Sequence, residues 1–346
     1  WTEGRGSAPA GAPAMRHSPS SRLGPSASYP GSICQGEPAG YATRDEFADY
    51  LEAYAKRMAL PVRLCSEVQR LERNENGAFR AKLATGEHIA ASHVIVATGA
   101  FQKAVVPAVA AGFDSAVVQL TAETYQEPSQ IPDGPVLVVG DGASGRDIAV
   151  ELASGHEVFL ATGKPRRLLP ERLFGRSIWW WLSALGLLRV SGDPLIGRLM
   201  RRADPFPDRD RSIDSLKRKG IGIVPRLVEA AGREAIFADN GRKEVASVVW
   251  AVGYQDDNDW LHLPGAKDRT GAILHEEGVS PVSELFFIGR PWQRSRASAL
   301  VMGAGPDAGK IVSRIVQATT RDISMVPHSE AADSEGKSTG STITES

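Results

Sequence analysis

The sequence predicts an α/β protein made of two dinucleotide-binding units, each a Rossmann-like, three-layer ββα arrangement. Three observations carry this. First, the β-prone run Val136-Leu137-Val138-Val139 leads into Gly140-Asp141-Gly142-Ala143-Ser144-Gly145, and an amphipathic helical pattern follows directly. Strand, tight glycine turn and helix in that order form the context in which Gly-x-Gly-x-x-Gly signals a dinucleotide site. Second, the stretch that ends in Ala97-Thr98-Gly99 is repeated by the one that ends in Ala251-Val252-Gly253; each has a hairpin, a turn, an apolar strand and a terminal glycine. Internal repeats of this kind expose architecture before single motifs do. Third, 346 residues with 42% hydrophobic and 23% charged side chains suffice for two buried cores.

The elements follow in order. Residues 1–40 are rich in Gly, Ala, Pro and Ser without periodicity, which predicts disorder, as does the polar tail 321–346. The chain begins with Trp rather than Met, as expected of a fragment or a processed product. Thr43 and Glu46 form a capping box for a helix whose apolar face is Phe47, Tyr50, Leu51, Tyr54 and Met58. Strands are expected over 62–71, 78–83 and 89–97, and a loop rich in Ala and Val precedes the break at Pro132-Asp133-Gly134-Pro135. After the glycine turn come a strand over 157–161, a block over 171–218 rich in Trp and Arg, and strands over 221–228, 235–238 and 245–252. A short buried strand ends at Gly289, and Gly303-Ala304-Gly305 opens a last helix over 308–318.

The glycine turn carries the chemistry. Gly140 permits the turn, Gly142 lets a pyrophosphate approach the backbone, and Gly145 lets helix and strand pack closely. With Ser144 they form the expected phosphate end of the site, where helix N–H groups meet negative charge. Asp141 is expected to face solvent, because a carboxylate aimed at pyrophosphate would repel it. About 20 residues on, NAD sites place an acid against the ribose. Here the chain offers Thr162, Lys164, Arg166 and Arg167, which suit the 2′-phosphate of NADP. The span from Gly140 to Gly253, counted back from Gly99, begins before residue 1, so the first unit is expected to lack its phosphate-binding end.

Several function classes fall away. A net charge of −1 offers no footprint for nucleic acid. Two separated cysteines and scattered histidines give neither a redox pair nor a metal spacing. The block Ile178-Trp179-Trp180-Trp181-Leu182, with arginines on both sides, leaves three readings open: a substrate lid, a dimer partner, or a peripheral membrane contact over 177–189. No apolar run is long enough to span a bilayer, and two separated cysteines fit a reducing cytoplasm, the expected location, with membrane association as the variant.

Residues 41–51, the Ala97-Thr98-Gly99-Ala100-Phe101 strand end, the Gly140 turn, and residues 176–188 and 250–264 resemble the flavin-containing monooxygenase superfamily. So does Pro291-Trp292-Gln293-Arg294-Ser295-Arg296, the most specific of these segments. The bacterial branch associated with potassium transport is the most similar. The resemblance implies an NADPH domain (134–253, with the Trp- and Arg-rich insertion 171–218) set into an incomplete FAD domain (41–133 and 254–320). It implies NADP and FAD as cofactors, with Thr98, Gly99, Gly253, Gly289 and Gln293 at the bound nucleotides. The activity it implies is hydride transfer from NADPH to FAD, then oxygenation of a small nucleophilic or carbonyl substrate. No catalytic residue is assigned. The family's fingerprint would end at Tyr125, but Ser115, Val117 and Thr121 stand at its other positions. A flavin-dependent reductase without oxygen insertion and a non-catalytic nucleotide-binding accessory of a transport system remain the alternatives.

Overall fold

The structure, a computed structural model, describes residues 44–163, 168–170, 172–174, 176–186, 206–208 and 210–324. Thr43, and with it the expected helix cap, lies outside them. The larger sheet has five strands in the order Gly222–Val224, Val158–Ala161, Val136–Val139, Ser247–Trp250 and Val118–Thr121, all parallel. Alternation along each strand sorts the side chains to two faces. Val136, Val138, Val158, Leu160 and Val249 face a layer that contains Ile148, Ala149 and Leu152 of helix Ala143–Leu152, and Leu216 of helix Ile213–Arg218. Leu137, Val139, Phe159, Val248 and Trp250 face an antiparallel meander of Leu227–Ala231, Glu234–Phe237 and Arg242–Glu244. Both faces are covered, which is why these strands are continuous apolar runs. The result is the three-layer ββα unit expected from the sequence.

The first unit repeats the plan. Its meander is Val68–Arg73, Phe79–Leu83 and His88–Ala91, and its parallel pair is Val94–Val96 with Leu285–Phe287. Leu71, Phe79, Val96, Leu261, Leu263, Leu285 and Phe287 close its core. The single strand expected over 89–97 is therefore two, divided at Ser92-His93, where the chain passes from one sheet to the other. The second unit divides likewise between Arg242–Glu244 and Ser247–Trp250.

Three further expectations are corrected. The strand expected over 62–71 starts only at Val68. In the second unit the matching residues, Gly222–Val224, are a strand because Val158–Ala161 lies beside them. Among the described residues Val62 and Leu64 have no such neighbour, and they are 50% and 59% exposed. Likewise the strand expected over 221–228 is two, Gly222–Val224 in the parallel sheet and Leu227–Ala231 in the meander. Finally, Val118–Thr121 lies in the expected loop yet forms an edge strand with Ser247–Trp250, so the larger sheet reaches across the anticipated boundary at residue 133.

The two chain crossings between the units pair with each other, Lys103–Ala104 antiparallel to Tyr254–Gln255. The last helix runs from Val301 to Ser324 and not from 308. A Cβ at Gly303 would collide with the carbonyl of Ala297, so this glycine serves close packing against the turn Arg296–Ala299 and does not open the helix. In the insertion, Leu168–Leu169 pairs with Phe206–Pro207, and a hairpin of Arg172–Leu173 and Arg176–Ser177 leads into helix Ile178–Ala184.

Candidate functional site

The glycine turn sits at the carboxyl end of the central parallel strand, where open α/β sheets bind ligands. Gly140 has φ +110°, and a Cβ there would collide with the carbonyl of Ala251 on the next strand. A Cβ at Gly145 would collide with the carbonyl of Gly140, which is the close helix–strand contact. Gly142 caps the helix with φ −70°, and nothing lies within 4 Å of where its Cβ would be. That open backbone, with the half-buried Ser144 beside it, suits a pyrophosphate. Thr162 ends the neighbouring strand, its hydroxyl donating to the carbonyl of Val224 at 3.2 Å. Lys164, Arg166 and Arg167 lie outside the described residues.

Asp141 does not face solvent. It is 5% exposed, and its carboxylate pairs with Arg146 at 3.3 Å. The side chain turns inward to a guanidinium five residues on, which answers the repulsion that motivated the exposed expectation.

The second set of expected residues meets at the strand ends of the first unit. Thr98, Gly99 and Gly289 line a cavity of about 190 Å³ together with Phe101, Ser298 and the first turn of the last helix at Val301. Gly99 and Gly289 end two adjacent parallel strands with φ +73° and +83°. No atom crowds a Cβ at Gly99, and the nearest to one at Gly289 is the Gly99 Cα, 3.7 Å away. This bare backbone fits the ring end of a flavin. The cavity is too small for a whole dinucleotide, and among the described residues no glycine turn adjoins Val94–Val96. The fit is to one end of FAD.

Gln293 lies in the turn that follows Gly289. It is buried, its Nε2 donates to the carbonyl of Phe287 at 2.8 Å, and its Oε1 accepts from the N–H of Arg290 at 3.3 Å. It holds the turn after Gly289 from behind. Gly253, φ +101°, stands where the central strand of the second unit passes into the crossing ribbon, on the same sheet end as Gly140.

Residues not anticipated from sequence fix the Gly99 carbonyl. Arg290 Nη1 donates to it at 3.1 Å and Gln102 Nε2 at 3.0 Å. Gln102 also donates to Thr98 Oγ1 at 3.0 Å and accepts from the N–H of Asp257 at 2.8 Å, while Arg290 pairs with Asp256. The strand end and the returning crossing are thereby tied together. Phe101, on the cavity wall, meets Tyr254 edge-on at 5.3 Å; burial, with a smaller contribution from Glu123, pushes that phenol's pKa up. Nothing in the sequence pattern flags Arg290 or Gln102, because the bonds from Arg290 to Gly99 and from Asp257 to Gln102 join segments distant in the chain.

Tyr125 is a core residue. It is buried, its hydroxyl donates to Glu151 at 3.3 Å, and burial pushes its pKa up, with the Glu151 carboxylate adding to the shift. At the insertion, Phe174 stands 85% exposed on the hairpin tip with φ +49°. Arg176 stacks over Trp180 at 4.7 Å, and Trp181 donates to the carbonyl of Leu173 at 2.9 Å. Among the described residues no group of acids, histidines and cysteines could hold a metal, and no helix is long and apolar enough to cross a membrane.

Residues 29–168 match the pyridine nucleotide-disulphide oxidoreductase family. The chain is 40% identical over 291 residues to an uncharacterised CzcO-like oxidoreductase of Geobacillus kaustophilus, covering 84% of this chain and 82% of that protein. It is 25% identical over 271 residues to the indole-3-pyruvate monooxygenase YUCCA1 of Oryza sativa, covering 70% and 65%. Among solved structures, a flavin-containing monooxygenase from Stenotrophomonas maltophilia superposes with a TM-score of 0.68 at 22% identity, over 86% of this chain and 84% of that one. That likeness is one of fold.

Proposed function

Because the chain belongs to the CzcO-like oxidoreductases of the flavin-containing monooxygenase superfamily, we propose that it oxidises NADPH and oxygenates a small nucleophilic or carbonyl substrate with FAD as its second cofactor. The open backbone at Gly142, on a helix N-terminus at the carboxyl end of a parallel sheet, carries this reading. Gly140, Gly142, Ser144 and Gly145 would hold the NADPH pyrophosphate, with Thr162, Lys164, Arg166 and Arg167 toward the 2′-phosphate. Thr98, Gly99, Gly289 and the helix start at Val301 would hold the flavin ring, and Arg290 and Gln102 keep the Gly99 carbonyl in place for it. Bound FAD would supply the hydride acceptor and the oxygen chemistry, which no amino-acid side chain provides.

The test is NADPH consumption by the chain in the presence of added FAD and ¹⁸O₂, with candidate amines, sulfides and ketones. Consumption with label in the product supports the reading. Consumption without label assigns a reductase, and no NADPH binding at all overturns the dinucleotide site.

The Trp- and Arg-containing hairpin extends the proposal to a peripheral contact, either a membrane surface or a second copy of the chain in a homodimer. The exposed Phe174 beside the Arg176–Trp180 stack supports it. Co-sedimentation with anionic vesicles detects the first partner and light scattering the second; a monomer that ignores vesicles removes both.

A further inference from the structure

Asp141 occupies the position between Gly140 and Gly142, where a carboxylate opposes any ligand that brings a pyrophosphate. Its immediate surroundings answer that charge. Arg146, 2% exposed on the first turn of helix Ala143–Leu152, donates from Nε to the Asp141 carbonyl at 2.8 Å and from Nη2 to the Asp141 carboxylate at 3.3 Å. Its remaining arm, Nη1, donates to the carbonyl of Arg211 at 2.6 Å. Arg211 in turn donates from Nε to Asp147 at 2.9 Å. Among the described residues, the carboxylates of Asp141 and Asp147 and the guanidiniums of Arg146 and Arg211 lie together beneath the turn.

Neither Arg146 nor Asp141 has a part in the proposed contacts to the nucleotide. A buried ion pair costs desolvation and is weak ground for stability. We propose that Arg146 is a positioning residue that masks the Asp141 carboxylate, so that the glycine turn accepts the pyrophosphate of the dinucleotide. Its Nε bond also holds the Asp141 carbonyl, which fixes the backbone between Gly140 and Gly142. The inference rests on the reading of the Gly140 turn as the NADPH site.

A charge mask makes a signed prediction that a scaffold does not. Arg146→Met removes the guanidinium paired with the carboxylate and is expected to weaken NADP⁺ binding about tenfold, equivalent to ~1.4 kcal/mol, by titration calorimetry. Asp141→Asn/Arg146→Met removes both charges and is expected to restore most of the affinity. Asp141→Asn alone keeps the Arg146 bonds to backbone carbonyls and removes one negative charge from the turn, so NADP⁺ is expected to bind about threefold tighter, and more so at low salt. That last variant keeps the test alive if Arg146→Met fails to fold, because loss of a merely structural contact would weaken binding. Unchanged affinity in Arg146→Met, no recovery in the double variant, or weaker binding by Asp141→Asn each overturns the mask. Absence of NADP⁺ binding by the unaltered chain overturns instead the reading of the turn as a dinucleotide site, and the inference with it.

Discussion

Ile95 and Val249 hold the same place in two copies of one supersecondary unit, four residues before the terminal glycines Gly99 and Gly253, yet Val249 is fully buried and Ile95 is 40% exposed. Val249 lies in a strand flanked by Val136–Val139 on one side and Val118–Thr121 on the other. Ile95 lies in a strand paired, among the described residues, with Leu285–Phe287 alone. The difference makes a direct prediction. Val249→Ala should cost about 2 kcal/mol through a cavity in the core, whereas Ile95→Ala should stay within about 0.5 kcal/mol. Urea titrations of the two variants decide it, and equal losses would contradict the placement.

The flavin end has a ring cavity without a glycine turn beside it among the described residues. Purified chain is therefore expected to hold FAD well below one per molecule. Flavin absorbance against protein concentration measures this, and a stoichiometric yellow protein would count against it.

The three glycines of the turn should part company under substitution. Gly145→Ala forces a Cβ onto the Gly140 carbonyl and is expected to lower stability by about 1–3 kcal/mol. Gly142→Ala meets no atom and has φ −70°, so thermal stability should hold while NADP⁺ affinity falls about tenfold as the methyl group crowds the ligand. Melting curves and binding titrations on both variants check the split.

His275 packs near the Phe287 ring, and burial, with the Arg290 charge adding, pulls its pKa below the usual histidine value. The folded state thus binds this proton less readily than the unfolded chain. The contribution is complete above the unfolded pKa of about 6.5 and is lost as pH falls through the depressed folded value. His275→Leu should therefore flatten the fall in Tm between pH 7 and pH 5, and an unchanged slope would refute this account.

Much of the fold was readable because its signals are local. Four apolar residues into a glycine turn, and two strand ends with the same terminal glycine, need no knowledge of distant partners. Residues 62–64 misled because their apolar pattern is that of a strand, but a strand forms only where a neighbour takes its hydrogen bonds. Val118–Thr121 went unread for the converse reason: its partner, Ser247–Trp250, lies far along the chain. Within the site, the glycines declared themselves through backbone demands. Asp141 was misplaced, and Arg290 and Gln102 were overlooked. In each case the role depends on a hydrogen-bond partner that composition and spacing do not encode.

The ribbon of Lys103–Ala104 with Tyr254–Gln255 also governs how the halves can move. Two separate tethers would allow twist and slide as well as bending. Tethers that are hydrogen-bonded to each other behave as a single pin, and Gln102 and Arg290 clamp that pin to the strand end at Gly99. Any swing that carries the Gly140 turn toward the Gly99 cavity must therefore deform this one ribbon, and the spacing of the two nucleotide ends follows its geometry.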